Sequence, residues 1–410
     1  MNRTLTWQIM LRYFKGKGTA NVAPLLSRIS MVAIAVVSCA MIILLSVFNG
    51  MGELVTSHYK GFYPDMRIVP AKGKFFSLPA GQMQQIAGLQ GIAVATPTIE
   101  DNVLMNNQGN DNQVITIKGV SNDYFKVSDI SDYIYDGNKL LSTGGTPTAI
   151  VGNLIMDRMG MDLHHGINNI TVHYPNVNNT NPAADPASAF TSLNVVPEGR
   201  FAIMDEFDDK YLLASLPLVQ DLLQAPGKYS AIEIKLTPGA NTNRLKEELQ
   251  RITGDAYRTE TRYEQNKTLY MVMTVEKWAI YAILVLVLII ASFNMIGALS
   301  LLAMEKQKDI AILRVMGADN NSIRNIFLGE GILWTLFGGL CGLLPGLLLL
   351  LGQQQFSWIK LEGFIVDAYP VHIQPADVLL ILVTMILVGF LASWKPARKA
   401  ASQQLAGLKS

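Results

Sequence analysis

Apolar residues are concentrated in four long blocks of this chain, separated by stretches of ordinary polarity. A helix that crosses the hydrocarbon layer needs about 20 mostly apolar residues. The pattern predicts transmembrane helices over residues 29–48, 278–303, 331–352 and 378–394. The first block follows 28 residues and precedes no small-residue cleavage site, which favours an uncleaved span over a signal peptide. Residues 49–277 are polar enough, and numerous enough, to fold as a domain outside the membrane.

Lys and Arg predict the direction of these spans. They are concentrated in residues 1–28, 304–330 and 395–410, whereas the short loop 353–377 contains only Lys360. Because basic flanks stay on the cytoplasmic side, both termini are predicted to be cytoplasmic and residues 49–277 to lie outside. Residues 1–28 also have the mixed apolar and basic character of an interfacial amphipathic helix.

The external region mixes two periodicities. Alternating or β-rich runs predict strands at Met66–Pro70, Gln113–Val120, Asn168–Pro175 and Ser230–Pro238. The stretch "NTNRLKEELQRIT" predicts an amphipathic helix capped by Asn241 or Thr242, with Glu247 opposite Arg251. The predicted fold is therefore an α-helical membrane protein with four transmembrane helices and a large α+β domain, in two lobes, inserted between helices 1 and 2.

One loop of the external region is unusually rich in proline and asparagine. Proline fixes φ and removes a donor, so such a segment extends away from a sheet instead of continuing it. Two interpretations remain open, a solvated linker and a docking arm for a partner outside the cytoplasm. The loop covers residues 174–190, and its candidate docking residues are Tyr174, Pro175, Pro182, Pro186 and Phe190.

The segment between the second and third spans predicts a short helix at the membrane surface. Apolar residues recur there every three positions, charged residues flank them, and a glycine suits the helix end. Asn321 or Ser322 is predicted to cap the following helix. The segment is either a surface connector or a lever moved by a cytoplasmic motor. Its candidate residues are Glu305, Lys306, Asp309, Ile310, Leu313, Arg314, Met316 and Gly317.

Composition narrows the chemistry further. The net charge of +1 draws in neither nucleic acid nor acidic substrates, and two cysteines exclude a disulfide framework. The sequence has no phosphate-binding loop and no metalloprotease or serine-hydrolase motif. The predicted spans contain no Asp, Glu, Lys, Arg or His, so an ion-coupled carrier would lack its usual groups. We expect no enzyme activity, no metal site and no cofactor, and an external source of energy.

Several stretches resemble the MacB/FtsX-like ABC permeases, and more closely their LolC/LolE-type lipoprotein-releasing branch. "LSVFNGMGELV" closes the first span as in that family, and "YPDMRIVPAKGKFF" is similar to its first external strand. "VEKWAIYAILVLVLIIASFNMIGALSLLAMEKQKDIAILRVMGA" is similar to its second span and coupling helix. "YPVHIQPADVLL" opens the last span in the same way.

The resemblance implies a non-catalytic permease of the bacterial inner membrane. Two such subunits, identical or paralogous, would sit with a cytoplasmic ATPase of the LolD type that binds ATP and Mg. They would extract lipoprotein cargo from the outer leaflet and pass it to a periplasmic carrier of the LolA type. The resemblance makes residues 304–330 the coupling helix segment, and it aligns the 174–190 arm with the carrier-binding hook.

The same resemblance places lipid contact at the outer ends of the first two spans. Extracting acyl chains costs about 0.8 kcal/mol per CH₂, so the permease must offer them an apolar surface. The alternative is that these residues face membrane lipid or pack together. The candidates are Leu44, Val47, Phe48, Met51, Met271, Val275 and Trp278.

Other functions remain open: a MacB-like mechanotransmission permease for efflux or export, an FtsX-like regulator of a periplasmic hydrolase, and a four-span receptor or adhesin. The predicted organisation is a cytoplasmic amphipathic segment (1–28), helix 1 (29–48), a periplasmic MacB-like α+β domain (49–277), helix 2 (278–303), the coupling segment (304–330), helix 3 (331–352), a short periplasmic loop (353–377), helix 4 (378–394) and a basic cytoplasmic tail (395–410).

Overall fold

The chain divides into two compact units. One consists of Met1–Leu54 with Met271–Ser410, and the other of Val55–Tyr270. The computed structural model describes residues 9–10, 12, 22–107, 112–143, 145–164, 169–176, 189–360 and 368–402. We call the first the helical unit and the second the external domain.

Helices are numbered in chain order within the described residues. They are α1 (Val22–Phe62), α2 (Ala80–Ala87), α3 (Tyr124–Val127), α4 (Asn153–Arg158), α5 (Asp205–Asp208), α6 (Leu216–Leu222), α7 (Thr242–Thr253), α8 (Arg262–Gln265), α9 (Lys267–Glu305), α10 (Gln307–Val315), α11 (Asn320–Phe356) and α12 (Pro375–Ser402), with a 3₁₀ turn at Asp129–Tyr133.

The described strands are β1 (Met66–Pro70), β2 (Ile92–Asn107), β3 (Gln113–Val120), β4 (Ile134–Gly137), β5 (Ser142–Thr143), β6 (Thr146–Gly152), β7 (Ile170–Pro175), β8 (Phe190–Phe201), β9 (Tyr211–Ser215), β10 (Ala231–Leu236) and β11 (Tyr257–Thr261). The predicted strands at Met66–Pro70 and Gln113–Val120 have these same bounds in the structure.

Four helices of the helical unit are long and apolar enough to cross a membrane: α1, α9, α11 and α12. They confirm the predicted fold class of four membrane helices with a large α+β domain between the first two. α1 has 41 residues and α9 has 39, so both continue well beyond the apolar blocks seen in the sequence. α12 runs to Ser402, so the first part of the predicted basic tail is helical.

Small residues let α11 pack closely on α1. Gly338, Gly342 and Gly346 repeat every four positions, so they share one face of the helix. A Cβ built at Gly342 would lie 1.8 Å from the Ala35 carbonyl oxygen, and one at Gly346 would lie 2.5 Å from Ile42. Close contact through small residues is a usual way for membrane helices to associate, since lipid provides no hydrophobic drive between them.

The external domain is built on one continuous run of paired strands, in the order β11-β1-β10-β2-β3-β9-β6-β8-β4. β2 is shared: its first half pairs with β10 and its second half with β3 and β7. One core lies against β1 and β10 under α2 and α7, and includes Leu245 and Leu249. A second core is formed by β2, β3, β6, β7 and β9. The mixture of strands and short helices confirms the α+β class.

An ion pair is buried where β10 meets β2 and β3. Lys118 Nζ lies 2.7 Å from Glu233 Oε1, and both side chains are about nineteen-twentieths buried. The Lys118 ammonium also lies 4.8 Å from the ring centroids of Phe62 and Tyr124. Buried charges persist in folded proteins when they are paired in this way, and this pair connects β3 to β10 across the shared strand β2.

Helix α7 confirms its predicted cap but not its predicted ion pair. The Asn241 side chain accepts a hydrogen bond from the Arg244 backbone N–H at 3.1 Å. Arg251 lies 3.9 Å from Glu248, three positions earlier, instead of pairing with Glu247. Residues three and four apart are both neighbours on a helix surface, so spacing alone does not choose between them.

Candidate functional site

The connector between α9 and α11 contains the short helix that the sequence predicts. Lys306 alone separates α9 from α10. At the other end Gly317 has φ +88°, and its N–H donates to the Arg314 carbonyl at 2.9 Å. The Ala318 N–H donates to the Leu313 carbonyl at 2.9 Å. A positive φ lets the chain fold back over the helix end, which is why glycine suits this position.

The N-cap of α11 differs from the prediction. Asp319 occupies the cap with extended backbone, two or three residues before the predicted Asn321 or Ser322. The Ser322 hydroxyl donates to the Asp319 carboxylate instead of capping the helix itself. Asp, Asn and Ser are all good N-caps, so the turn geometry after Gly317 decides between them.

The apolar residues of α10 do not form a single buried stripe. Ile310 is buried against residues of α9, α11 and α12, and Leu313 is half-buried. Met316, predicted on the same stripe, is 72% exposed because the helix ends one residue before it. Three exposed apolar side chains form a surface that we call the connector patch: Ile312, Val315 and Met316.

The charged residues of the connector have different surroundings. Lys306 Nζ lies 3.3 Å from Asp309 Oδ2, and Glu305 is exposed. Arg314 Nη2 donates to the Ala401 carbonyl at 2.6 Å and to Asn320 Oδ1 at 3.2 Å. Arg314 therefore braces α10 against the end of α12.

Glu330 is buried, although the sequence assigns it to the exposed connector. α11 begins at Asn320, so Glu330 lies in its third turn, inside the bundle. The side chain is fully buried, and neither carboxylate oxygen has a hydrogen-bond partner within the described part of the chain. The next residue, Gly331, packs so closely that a Cβ would lie 2.4 Å from Ser393. The predicted span 331–352 itself contains no Asp, Glu, Lys, Arg or His, but the helix begins 11 residues earlier and so brings Glu330 into the bundle.

The seven candidate lipid contacts fall into two groups. Those on α9 are exposed: Met271 by 52%, Val275 by 62% and Trp278 by 56%. On α1, Leu44 is 44% exposed. The other three α1 candidates are half-buried in the helical unit: Val47, Phe48 and Met51.

A polar cluster that the sequence analysis missed lies at the same ends of the helices. Asp377 of α12 is 4% exposed. Its carboxylate accepts a hydrogen bond from Asn49 Nδ2 of α1 at 2.6 Å and lies 3.0 Å from Lys277 Nζ of α9. We call these three residues the outer polar cluster. A signal was present, because each residue stands immediately next to the end of a predicted span.

The segment 369–374, which we call the strap, binds along α1 beside this cluster. The His372 N–H donates to the Ser46 carbonyl at 2.9 Å, and His372 Nδ1 lies 2.7 Å from Glu53 Oε2. A Cβ at Gly50 would lie 2.4 Å from the Pro370 carbonyl oxygen. The glycine therefore makes room for the strap.

The arm begins from a β-hairpin formed by β7 and β8. β7 and β8 pair as far as Pro175 opposite Phe190, and the Asn176 N–H donates to the Ala189 carbonyl at 2.9 Å. The Tyr174 hydroxyl donates to Asp101 Oδ2 at 3.0 Å, and desolvation together with this hydrogen bond raises the pKa of Tyr174 to about 12. Phe190 is 50% exposed. Pro182 and Pro186 lie outside the described residues.

The residues described here contain no group of three His, Cys, Asp or Glu side chains that could hold a metal. His164 Nε2 lies 3.0 Å from Asp136 Oδ1, on an exposed surface. The candidate functional sites are therefore three surfaces: the connector patch, the outer ends of α1 and α9, and the base of the arm.

The structure has four membrane-type helices with a large domain between the first two, and two protein families match these parts of the chain. The MacB-like periplasmic core domain family matches residues 27–252, more than half of the chain, and the FtsX-like permease C-terminal family matches residues 281–405. The chain belongs to the MacB-like periplasmic core domain family and carries the FtsX-like permease C-terminal region.

Relatives identify the branch. The lipoprotein-releasing system transmembrane protein LolC of Neisseria meningitidis serogroup B is 25% identical, over 97% of this chain and 96% of that protein. LolE of Haemophilus influenzae is 25% identical, over 98% of both chains. The crystal structure of the periplasmic region of MacB from Actinobacillus actinomycetemcomitans has a TM-score of 0.36 and 11% identity, covering 52% of this chain and 94% of that one.

These comparisons confirm the predicted resemblance to LolC/LolE-type permeases. The chain is a membrane protein with a periplasmic-type domain, and its relatives are non-catalytic ABC transporter permeases. Membership of the ABC permeases implies an ATPase partner and a transported cargo.

Proposed function

We propose that this chain is the permease subunit of an ABC transporter that extracts lipoproteins from the outer leaflet of the inner membrane. The observation that carries the proposal is the similarity to LolC and LolE over almost the whole chain. A separate cytoplasmic ATPase of the LolD type binds ATP and Mg and drives the cycle, and a periplasmic carrier of the LolA type receives the cargo.

In this proposal both termini are cytoplasmic and residues 55–270 are periplasmic. The basic residues support this direction, since those of the connector and of the end of α12 belong to the same side. A second permease subunit, identical or paralogous, completes the transporter. The sequence is equally compatible with either kind of partner.

The connector is the part that the ATPase would move. The connector patch offers Ile312, Val315 and Met316, all more than half exposed, to a groove in the ATPase. Glu305, Lys306 and Asp309 supply polar contacts around it. The other face of α10 packs against the helical unit. Ile310 is buried there, and Arg314 donates a hydrogen bond to the Ala401 carbonyl. Force on the patch is then passed to α11 and α12, because the side chains behind it are packed.

The outer ends of α1 and α9 are where acyl chains would be held. Each CH₂ taken out of the bilayer costs about 0.8 kcal/mol, so an apolar surface must replace the lipid. Met271, Val275 and Trp278 recur along one side of α9 and are exposed, as such a surface requires. Leu44 extends the surface on α1.

The arm is the proposed carrier-binding element. Its base is held by backbone pairing and by the bonds from Gln224 Nε2 to Asn176 Oδ1 at 3.0 Å and to Thr191. Phe190 stands exposed next to the ring of His173, where a partner can reach it. A rigid base that carries a proline-rich loop suits docking, because less freedom is lost on binding.

The function is tested by depleting the protein and following outer-membrane lipoproteins. We expect them to accumulate in the inner membrane, and re-expression of the chain to restore their release. An unrelated inner-membrane lipoprotein serves as the control for fractionation. Unchanged sorting would overturn the proposal and would favour export of another substrate or regulation of a periplasmic hydrolase.

The arm is tested separately by replacing residues 177–188 with two glycines, which leaves the described hairpin base intact. We expect capture of a LolA-type carrier to fall, while ATPase stimulation by the permease stays unchanged. A matched variant, Phe190→Ser, removes the exposed ring and leaves the loop in place. Undiminished carrier capture by both variants would remove the arm from the proposal.

A further inference from the structure

The outer polar cluster links three helices that are distant in sequence. Asn49 and Asp377 are 328 positions apart, yet Asn49 Nδ2 donates to Asp377 Oδ2 at 2.6 Å. Lys277 Nζ reaches both carboxylate oxygens of Asp377, at 3.0 and 3.2 Å. One carboxylate therefore holds α1, α9 and α12 together at their outer ends.

The ion pair also fixes the rotation of α9. Successive residues of an α-helix are about 100° apart, so Val275 lies about 200° around the helix from Lys277. Lys277 is drawn to Asp377, and Val275 is 62% exposed on the far side. The pair therefore presents the apolar side of α9 outward, including Met271 and Trp278.

The strap contacts α1 and Lys277 and leads into α12. It binds α1 through the His372 N–H and leads directly into α12, where the Asp377 N–H donates to the Gln374 carbonyl at 3.0 Å. Lys277 Nζ also lies 3.4 Å from Gln374 Oε1. α1, the strap and α12 are thus connected, and α9 joins them through the Lys277 side chain.

Such a contact has two states instead of a continuum. A buried carboxylate that loses its cation is left uncompensated, so partial separation is strongly disfavoured. Separation becomes favourable only when water or another group reaches both charges. Lys277 is 28% exposed on its side chain and Asp377 is 5% exposed, so water reaches the lysine first.

We propose that the outer polar cluster is a latch that holds the outer ends of α1 and α9 closed against α12, and that opening requires Lys277 to leave Asp377. The inference rests on the proposed function in one respect, since the opening is assigned to cargo entry. In the closed state Asp377 positions the other two residues of the cluster. Lys277 sets the rotation of α9, and Asn49 sets the distance between α1 and α12.

The latch is tested by cross-linking α1 to α9 in the full chain in lipid nanodiscs. Cys39 and Cys341 are replaced by Ala, and cysteines are placed at Gly52 and Met273, because a Cβ at Gly52 would lie 2.8 Å from the Met273 side chain. A short reducible dithiol linker joins them. Asp377→Asn and Lys277→Met should each lower the cross-linking rate, because losing a charge-assisted hydrogen bond shifts the equilibrium about tenfold toward the open state.

Two variants control this experiment. Glu276→Gln removes a neighbouring exposed charge from the same turn of α9 and should cross-link at the unmodified rate. The swap Asp377→Lys with Lys277→Asp recreates the pair and should restore the rate, since the Asn49 amide can present its oxygen instead of its NH₂. Hydrogen exchange of residues 320–345 shows whether each variant remains folded.

The outcomes separate the latch from the proposed function. Folded Asp377→Asn and Lys277→Met variants that cross-link at the unmodified rate would overturn the latch, as would a swap that restores nothing. In the transporter reconstituted with its ATPase, the completed cross-link should block lipoprotein release, and reduction should restore it. Release at full rate while cross-linked would also overturn the latch. A transporter that releases no lipoprotein even without cross-links would count against the proposed function, while the cross-linking rates would still decide the latch.

Discussion

The two ends of the helical unit each bury a carboxylate, but the surroundings of the two carboxylates differ. At the outer end Asp377 is surrounded by Asn49 and Lys277, with donors at 2.6 and 3.0 Å. At the connector end Glu330 is fully buried, and within the described residues neither oxygen has a hydrogen-bond partner. The acids are similar in burial, so their partners make the difference.

This difference indicates what organises each end. The outer ends of α1, α9 and α12 are positioned by directional, charged contacts, which specify one arrangement and can be broken as a unit. The connector end is positioned by close packing, with Gly331 against Ser393 and buried alanines of α12 against Ile323 and Phe327. Packing of this kind transmits displacement instead of releasing it.

Asp377→Leu removes the carboxylate from the outer end. The substitution leaves Lys277 without its counter-charge and Asn49 without its acceptor, so we expect a loss of about 3 kcal/mol in unfolding free energy. Reversible unfolding of the full chain in detergent measures it. Glu276→Gln is the matched control and should change the unfolding free energy little. A loss no larger than that of the control would show that the outer end does not depend on the pair.

At the connector end, removing the buried carboxylate of Glu330 should raise the unfolding free energy instead of lowering it. Glu330→Met replaces an unpartnered carboxyl with an apolar side chain of similar length, which should raise the unfolding free energy by about 2 kcal/mol. The same unfolding experiment measures this gain. The control Glu330→Gln keeps a polar side chain and should change the unfolding free energy little. If Glu330→Met destabilised the chain, the carboxyl would have to be partnered by a residue outside the described part.

Sequence patterns predicted the elements of this fold better than the contacts between them. The four apolar blocks identified α1, α9, α11 and α12, because membrane helices need a fixed length of apolar residues. β1 and β3 were predicted with their final bounds, because alternation is a local property. The similarity to LolC/LolE-type permeases was also readable from continuous motifs, since these keep residues together in the chain.

Contacts that depend on the folded arrangement were not predictable. Asn49, Lys277 and Asp377 are each polar residues at a span boundary, where polar residues are expected anyway, and nothing local links them. The sequence places Glu330 in the connector because an apolar block begins at the next residue, whereas the helix begins ten residues before Glu330. The exposure of Met316 depends on the turn at Gly317, which periodicity does not describe.

The exposed residues of the connector patch should matter for binding and not for stability. Ile312→Ser with Val315→Ser should change the unfolding free energy by less than about 0.5 kcal/mol, as usual for exposed positions. Binding of the partner ATPase should weaken by about tenfold, since serine replaces two apolar side chains whose burial by the partner would stabilise the complex. Titration of ATPase stimulation against permease concentration measures it.

The matched control for this patch is Ile310→Ser, on the buried face of the same helix. It should lower stability and disturb binding only indirectly. Full ATPase affinity in the Ile312→Ser, Val315→Ser variant would contradict the assignment of the patch as the coupling surface. Comparable stability losses in both variants would show that the patch is covered within this chain.

A third buried acid, Asp208, lies in the external domain and should give a smaller effect on stability. Asp208 is 5% exposed, and desolvation raises its pKa from 3.8 to about 6, although its Oδ1 accepts a hydrogen bond from the Ile203 N–H at 2.8 Å. Because the folded state binds the proton more tightly than the unfolded state, stability falls as the pH rises from about 4 through 6. Between pH 5 and pH 7 this amounts to about 1 kcal/mol of local stability. Hydrogen exchange of residues 201–214, corrected for the intrinsic exchange rate, should show this fall in local stability between pH 5 and pH 7. In Asp208→Asn the local stability should no longer depend on pH, whereas the exposed control Asp205→Asn should keep the dependence. An unchanged pH dependence in Asp208→Asn would assign it to another group.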